Sequence, residues 1–303
     1  MKRIFLRVLV LLAAVTLALP AMNTSAAPQF SDVNSSYWAH KEITFLANQQ
    51  IVRGKDGKFN PESPLKRMQA AEIIVRALGL STENRPNPNF KDIKPGDYGY
   101  EYAATLADEG IMTGNNGYFK PWDTLTRGQM AKILSEAYGL TYAIGSSFDD
   151  VDYDDWLYDY VSCLVDNHIT TGYKEDNTFR PNAPLKRSQF SAFMARVMDD
   201  SFKPAVLFNA VDYSWDQDGG LTLTVEAKNN FSYAVEVTET LMAVTVDDEL
   251  ITFDLFLFGS NELYLQAGET KQIELYFEPD YIFIEPAELT NIVVFTQSEI
   301  VKR

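Results

Sequence analysis

Three arginines stand at equal intervals of 60 residues: Arg67, Arg127 and Arg187. Each follows Lys66, Thr126 or Lys186 and is followed two positions on by Gln69, Gln129 or Gln189. Each triplet precedes an apolar-periodic stretch and reads as the start of a helix. Thr126 and Gln129 fit a capping box, whereas Lys66 and Lys186 have no acceptor and lose that arrangement. Cations at a helix N-terminus oppose the macrodipole, at a cost of roughly 0.3–1 kcal/mol each when exposed. Stability alone does not select them. A forked guanidinium placed where free amides point outward makes an anion pocket, suited above all to a carboxylate. The competing reading pairs each arginine with an acid of a neighbouring segment: Asp32, Asp92 or Asp150.

The elements that position these residues recur with them. Phe30-Ser31-Asp32-Val33 returns as Phe90-Lys91-Asp92-Ile93 and as Phe148-Asp149-Asp150-Val151, and a glycine follows each Phe by 24 residues: Gly54, Gly114 and Gly172. Phe59-Asn60-Pro61, Phe119-Lys120-Pro121 and Phe179-Arg180-Pro181 come next, then the arginine triplets. Each unit reads as helix, loop, helix. In the first, Ala39, Ile43, Leu46 and Ala47 form one stripe; Ala70, Ile73, Ile74 and Ala77 form the second, ending at Gly79. One such pair cannot bury its own stripe, but three can pack together. The units span 28–82, 88–141 and 146–200.

These motifs resemble the S-layer homology (SLH) family of bacterial surface proteins. The resemblance covers roughly residues 28–200: the F-x-D-V/I opening, the glycine, the F-x-P and a T-R-x-E-like step occur in order three times. Here Gln69, Gln129 and Gln189 stand for the family's Glu, and Lys66 and Lys186 for its Thr. The resemblance implies a three-pronged pseudo-trimer whose inter-repeat grooves bind secondary cell-wall polysaccharide, often pyruvylated. It implies groove positions for Arg67, Arg127, Arg187, Gly54, Gly114 and Gly172. A pyruvate ketal would suit the arginine fork, and the extra lysines would favour an anionic polymer.

Trp38 and Trp156 follow the opening Phe by eight residues, with Tyr98 or Tyr100 in the second unit. They could stack on a sugar ring; packing in the first-helix core is the preferred reading. Phe30, Phe90 and Phe148 are core residues. The acidic run from Phe148 to Tyr160 invites calcium, but the EF-hand pattern fails at its sixth and twelfth positions, leaving a solvated acidic turn. Cys163, the single cysteine, excludes an internal disulfide and a thiolate zinc cluster and reads as a buried apolar residue. His40 and His168 read as ordinary helix and loop positions. No cofactor or metal is indicated.

The chain has 303 residues and a net charge of −16, which argues against a nucleic-acid surface. Lys2, Arg3 and Arg7, an apolar run from Ile4 to Leu19 and Ser25-Ala26-Ala27 compose a secretory leader over residues 1–27. No later stretch suits a membrane span. From about residue 204 the texture alternates: Leu221–Val225, Ala234–Val237, Ile251–Phe258, Lys271–Phe277 and Asn291–Thr296 are β-rich, with Gly and Asn turns between. The expected fold class is multi-domain α + β: three helix-loop-helix repeats forming a pseudo-trimer, a linker over 198–204, then an immunoglobulin-like antiparallel β-sandwich over 204–303. The sandwich carries most of the negative charge and shows no nucleophile with a base, so no enzyme is expected. The expected role is a secreted protein held to the cell wall or S-layer by a wall polymer. Two alternatives stand: a surface-array subunit self-associating through the sandwich, or a tether in which aspartates bind modified peptidoglycan.

Overall fold

The structure is a computed structural model that describes residues 30–284 and 289–303. The expected leader lies outside the described residues. Among these residues no helix is long and apolar enough to cross a membrane.

Among the described residues six α-helices form three pairs: α1 (His40–Asn48) with α2 (Arg67–Ala77), α3 (Tyr100–Asp108) with α4 (Arg127–Tyr138), and α5 (Tyr158–Asp166) with α6 (Arg187–Met198). The strongest packing runs between repeats. Helix α2 lies on α3, α4 on α5 and α6 back on α1, closing a ring. Each apolar stripe is thus covered by a neighbour, and one core runs from Phe30 to Met194. At the ring's centre three extended segments meet. Leu65 donates its amide to the Leu185 carbonyl, Leu125 to Leu65 and Leu185 to Leu125, each at 2.8 Å. All three leucine side chains are fully buried.

The loop of each repeat is pinned by its opening aspartate. Asp32 accepts the amides of Phe59 and Asn60 at 2.8 and 2.7 Å, and Asp92 those of Phe119 and Lys120 at 2.8 and 2.7 Å. Asp150 does the same for Phe179 and Arg180, at 2.7 Å each. Asn60, Lys120 and Arg180 have φ of 57°, 58° and 60°, a left-handed turn that these carboxylates hold. The opening Phe packs on the loop Phe, with centroids 5.3 Å apart for Phe30 and Phe59.

The capping expectation needs correcting in part. Gln129 and Thr126 close the full reciprocal pair, both bonds at 3.3 Å. At the lysine-led helices the glutamine half persists: the Lys66 and Lys186 amides donate to Gln69 and Gln189 Oε1 at 3.0 and 3.1 Å. An ammonium cannot accept, so only the other half is lost.

Among the described residues seven antiparallel strands build the C-terminal part. Strands β1 (Val206–Trp215), β2 (Leu221–Asn229) and β6 (Thr270–Phe277) form one sheet in the order β1-β2-β6. In the other, β3 (Val235–Val246) pairs with β4 (Glu249–Leu257) and short β5 (Tyr264–Leu265) on one side and with β7 (Ile292–Lys302) on the other. The sheets enclose a second core that includes Leu223, Met242, Val244 and Phe277. Two features escape the sequence patterns. Strand β1 has irregular burial and a register shift between Ala210 and Asp212, so it never alternates cleanly. The β3–β4 turn is Asp247-Asp248, with φ of 48° and 66°, a left-handed pair without glycine.

The junction is not a free linker. Helix α6 runs to Met198 and a single 3₁₀ turn, Asp200–Phe202, follows. Phe202 packs on Phe45 with centroids 4.8 Å apart, and Asn230 donates to the Asp200 carbonyl. Strand β7 touches the third repeat: Gln297 Nε2 donates to the Gly145 carbonyl at 2.6 Å and to Asp166 Oδ1 at 3.0 Å.

Candidate functional site: three inter-repeat grooves

Each arginine occupies the first turn of a second helix, after a residue in extended conformation (Lys66, φ −84°, ψ 148°). Its Nε donates to the carbonyl of the next repeat's loop Phe: Arg67 to Phe119 at 2.9 Å, Arg127 to Phe179 at 2.7 Å, Arg187 to Phe59 at 2.9 Å. The guanidinium lies over the same ring, 5.4, 4.7 and 4.5 Å from its centroid. Burial pushes all three guanidinium pKa values below the ordinary arginine value; Asp123 and Asp92 near Arg67, and Glu72 and Asp32 near Arg187, oppose that through space. Among the described residues no ion pair joins these arginines to an acid. Asp32, Asp92 and Asp150 are committed to loop amides, so the internal salt-bridge reading is replaced by cation–π and carbonyl contacts.

The helix-start amides are not open to an anion either. The Arg67 and Met68 amides donate to the Asp123 and Pro121 carbonyls at 3.0 and 2.9 Å, and the other two helices repeat this with the loops at Ala183 and Ser63. Neighbouring loops cap the helices, so the donors left at each helix start belong to side chains. Nε is fixed, which leaves the two terminal nitrogens of Arg67 and Arg127 without a hydrogen-bond partner among the described residues, while Arg187 spends one on the Arg53 carbonyl at 3.0 Å.

Each groove takes parts from all three repeats. The first, about 460 Å³, has Gly54 and Gln69 from repeat 1, Tyr98 from repeat 2 and Arg187 from repeat 3. The second, about 330 Å³, has Gly114 and Gln129, Trp156 and Arg67. The third, about 260 Å³, has Gly172 and Gln189, Trp38 and Arg127. Lys66 lines the first groove and donates to Thr124 Oγ1 at 3.2 Å. Lys186 and Asp32, Asp92 and Asp150 lie outside these linings; Lys186 is held by Glu62 at 2.6 Å.

The glycines are fixed by close approach. A Cβ on Gly54 would lie 2.4 Å from the Lys58 carbonyl oxygen, on Gly114 2.7 Å from that of Tyr118, and on Gly172 2.2 Å from the Phe148 ring. The two tryptophans overturn the core-packing preference: Trp38 and Trp156 are 55% and 60% exposed. Both precede their helix, which starts at His40 or Tyr158, and so escape its buried stripe. Tyr98, 65% exposed, stacks on Trp122 at 6.2 Å and 16° in the equivalent place. Phe30 and Phe90 are buried as expected and Phe148 is half-buried. Glu72, Arg76, Lys132 and Arg196 also line grooves and were not singled out in the sequence; their signal is an offset of five or nine from each arginine.

Cys163 is buried, its thiol donates to the Leu140 carbonyl at 3.1 Å, and burial pushes its pKa up to about 11. Among the described residues no group of three His, Cys, Asp or Glu could hold a metal ion.

The sequence model of the S-layer homology domain matches residues 29–71, 89–131 and 147–191, the same three units. These repeats belong to the S-layer homology domain family. The surface-layer 125 kDa protein of Lysinibacillus sphaericus is 30% identical over 62% of this chain and 17% of its own length. The S-layer protein sap of Bacillus anthracis is 25% identical over 83% of this chain and 34% of its own length. A protein of the same organism, named as an uncharacterised cell wall amidase, is 28% identical over 61% of this chain and 35% of its length. The chain thus spans about a third or less of these relatives. With three SLH domains and surface-layer relatives, it is a secreted protein of the cell wall or S-layer.

Proposed function

We propose that the SLH domains hold this chain non-covalently to an anionic wall polymer, a pyruvylated secondary polysaccharide, and that the sandwich is displayed without catalysis of its own. One observation carries this reading: guanidinium groups with no carboxylate partner open into grooves beside exposed Tyr98, Trp156 and Trp38. The terminal nitrogens of Arg67 and Arg127 can take a carboxylate through two parallel bonds. The adjacent ring offers an apolar face for the sugar. The Gln69, Gln129 and Gln189 oxygens are already bonded, so their amide nitrogens face ligand as donors. Replacing Arg67, Arg127 and Arg187 by lysine keeps charge and removes the fork. A folded triple variant is expected to sediment with purified walls at least tenfold less well than the parent; undiminished sedimentation contradicts the groove mechanism.

A second reading, self-association through the sandwich, is favoured by strand β4. Its outer edge is paired by Phe283 and Ile282 at Ile251 and Thr252, whereas Leu255 and Leu257 farther along are 48% and 71% exposed. Sedimentation velocity of the full chain tests it: a concentration-dependent dimer abolished by Leu257→Lys supports it, and a monomer throughout contradicts it.

A further inference from the structure

The three grooves are built on one plan but are not electrically equivalent. The difference lies five and nine residues after the arginine. In the first groove these positions are Glu72 and Arg76, which form an ion pair on one helix face, and Glu72 also accepts from Tyr98 Oη at 3.3 Å. On the second groove's helix they are Lys132, which lines that groove, and Glu136, which lies outside its lining, both turned to Tyr160: Lys132 sits 5.2 Å over its ring, and Glu136 accepts its hydroxyl at 3.1 Å. In the third they are Ala192 and Arg196. There the carboxylate is missing and the cation remains.

Two guanidiniums therefore converge on the third groove. Arg127 and Arg196 lie 5.3 and 6.0 Å from the centroid of the same Phe193 ring. Arg196 donates one terminal nitrogen to the Ile169 carbonyl at 2.9 Å, and its Nε is buried without a partner. Arg127 is only 4% exposed, with Tyr173 over it at 5.0 Å. Glu42 and Asp150 act on the pair only through space. Among the described residues, this groove has no acidic side chain in its lining, whereas the first contains Glu72 and the second Asp123. Two desolvated like charges with unused donors are costly until an anion joins them.

We propose that the third groove is the principal seat for an oxyanion-bearing sugar, with the anion clamped between Arg127 and Arg196 and the ring stacked on Trp38. This rests on the wall-polymer reading and names which groove carries it. The shared ligand chemistry is an oxyanion on a sugar or polyol, supplied by a ketal carboxylate or by a polymer phosphate. In the first groove Glu72 both neutralises Arg76 and repels an anion, which makes that groove a weaker seat.

Calorimetric titration of the full chain decides it, with two probes: a methyl glycoside bearing a 4,6-pyruvate ketal, and glycerol 1-phosphate. Arg196→Gln is expected to weaken the better-bound probe at least tenfold, Arg196→Lys by less, and Trp38→Ala to weaken the glycoside only. Glu72→Gln is expected to raise the number of strong sites from one to two. Circular dichroism of each variant separates lost binding from lost folding. Stronger binding of either probe supports the seat and identifies the oxyanion's source. Arg196 variants that stay folded and bind within twofold of the parent overturn the inference while leaving the wall reading intact. If the parent binds neither probe yet sediments with walls, the oxyanion clamp is overturned. Loss of wall sedimentation by the parent itself overturns the wall reading with it.

Discussion

On the proposed reading, Arg127 does two jobs with one side chain. Nε and the ring face hold two repeats together, and the terminal nitrogens remain for a ligand. Truncation to alanine therefore confounds the two, with an expected stability loss of about 1–3 kcal/mol beside any loss of binding. The arginine spacing was legible in the sequence because it repeats. Its anchor, a carbonyl 52 residues away, was not, because that contact exists only once repeats close on one another. The same holds for Asp32, readable either as a salt-bridge partner or as a ligand. Partial burial raises its pKa, but the Phe59 and Asn60 amides outweigh this and hold it below the ordinary value. Its stabilising contribution is present above the unfolded-state value near 3.8 and is lost as pH falls below it. Asp32→Ala is expected to lower unfolding free energy at pH 7 by about 1–3 kcal/mol, read by urea titration, with a smaller difference near pH 3.

At the scale of elements, the helices were legible from apolar periodicity and the second-helix starts from the arginine triplets. Pairing was not. Periodicity says that a stripe must be covered but not by which helix, and here the partner belongs to the next repeat. The core-packing reading of Trp38 and Trp156 fails for a related reason: a residue just outside a helix does not share its face. The three-leucine hub ties the pairs into a ring, so the repeats should unfold as one unit. Leu125→Ala is expected to cost about 2–5 kcal/mol and to lower the midpoint of all three repeats together. Independent melting of one repeat, followed by hydrogen exchange across the hub, would contradict this ring account. In the sandwich, strands with clean alternation are legible in the sequence, whereas β1, with its register shift, is not.

Across the whole molecule the sandwich is docked on the third repeat. His168, which read as an ordinary loop residue, sits at that junction in a left-handed conformation (φ 57°), its Nε2 3.2 Å from Thr296 Oγ1. Burial, with Lys203 adding to it and Asp200 opposing, lowers its pKa from 6.5 to about 4. A histidine depressed in the folded state binds fewer protons than when unfolded, so stability falls as pH drops from about 6.5 toward 4. Thermal melts of the full chain are expected to show this slope, and His168→Gln to flatten it; an unchanged slope would remove the histidine from the junction's energetics. Nothing in the sequence marked this contact, because it joins residues 128 positions apart in different domains. The most direct test of the central claim is sedimentation of the full chain with purified walls that are intact, stripped of secondary polymer, or chemically depyruvylated. Binding to intact walls that is lost on stripping and on depyruvylation is the expected result. Undiminished binding to depyruvylated walls would contradict the carboxylate-in-groove account.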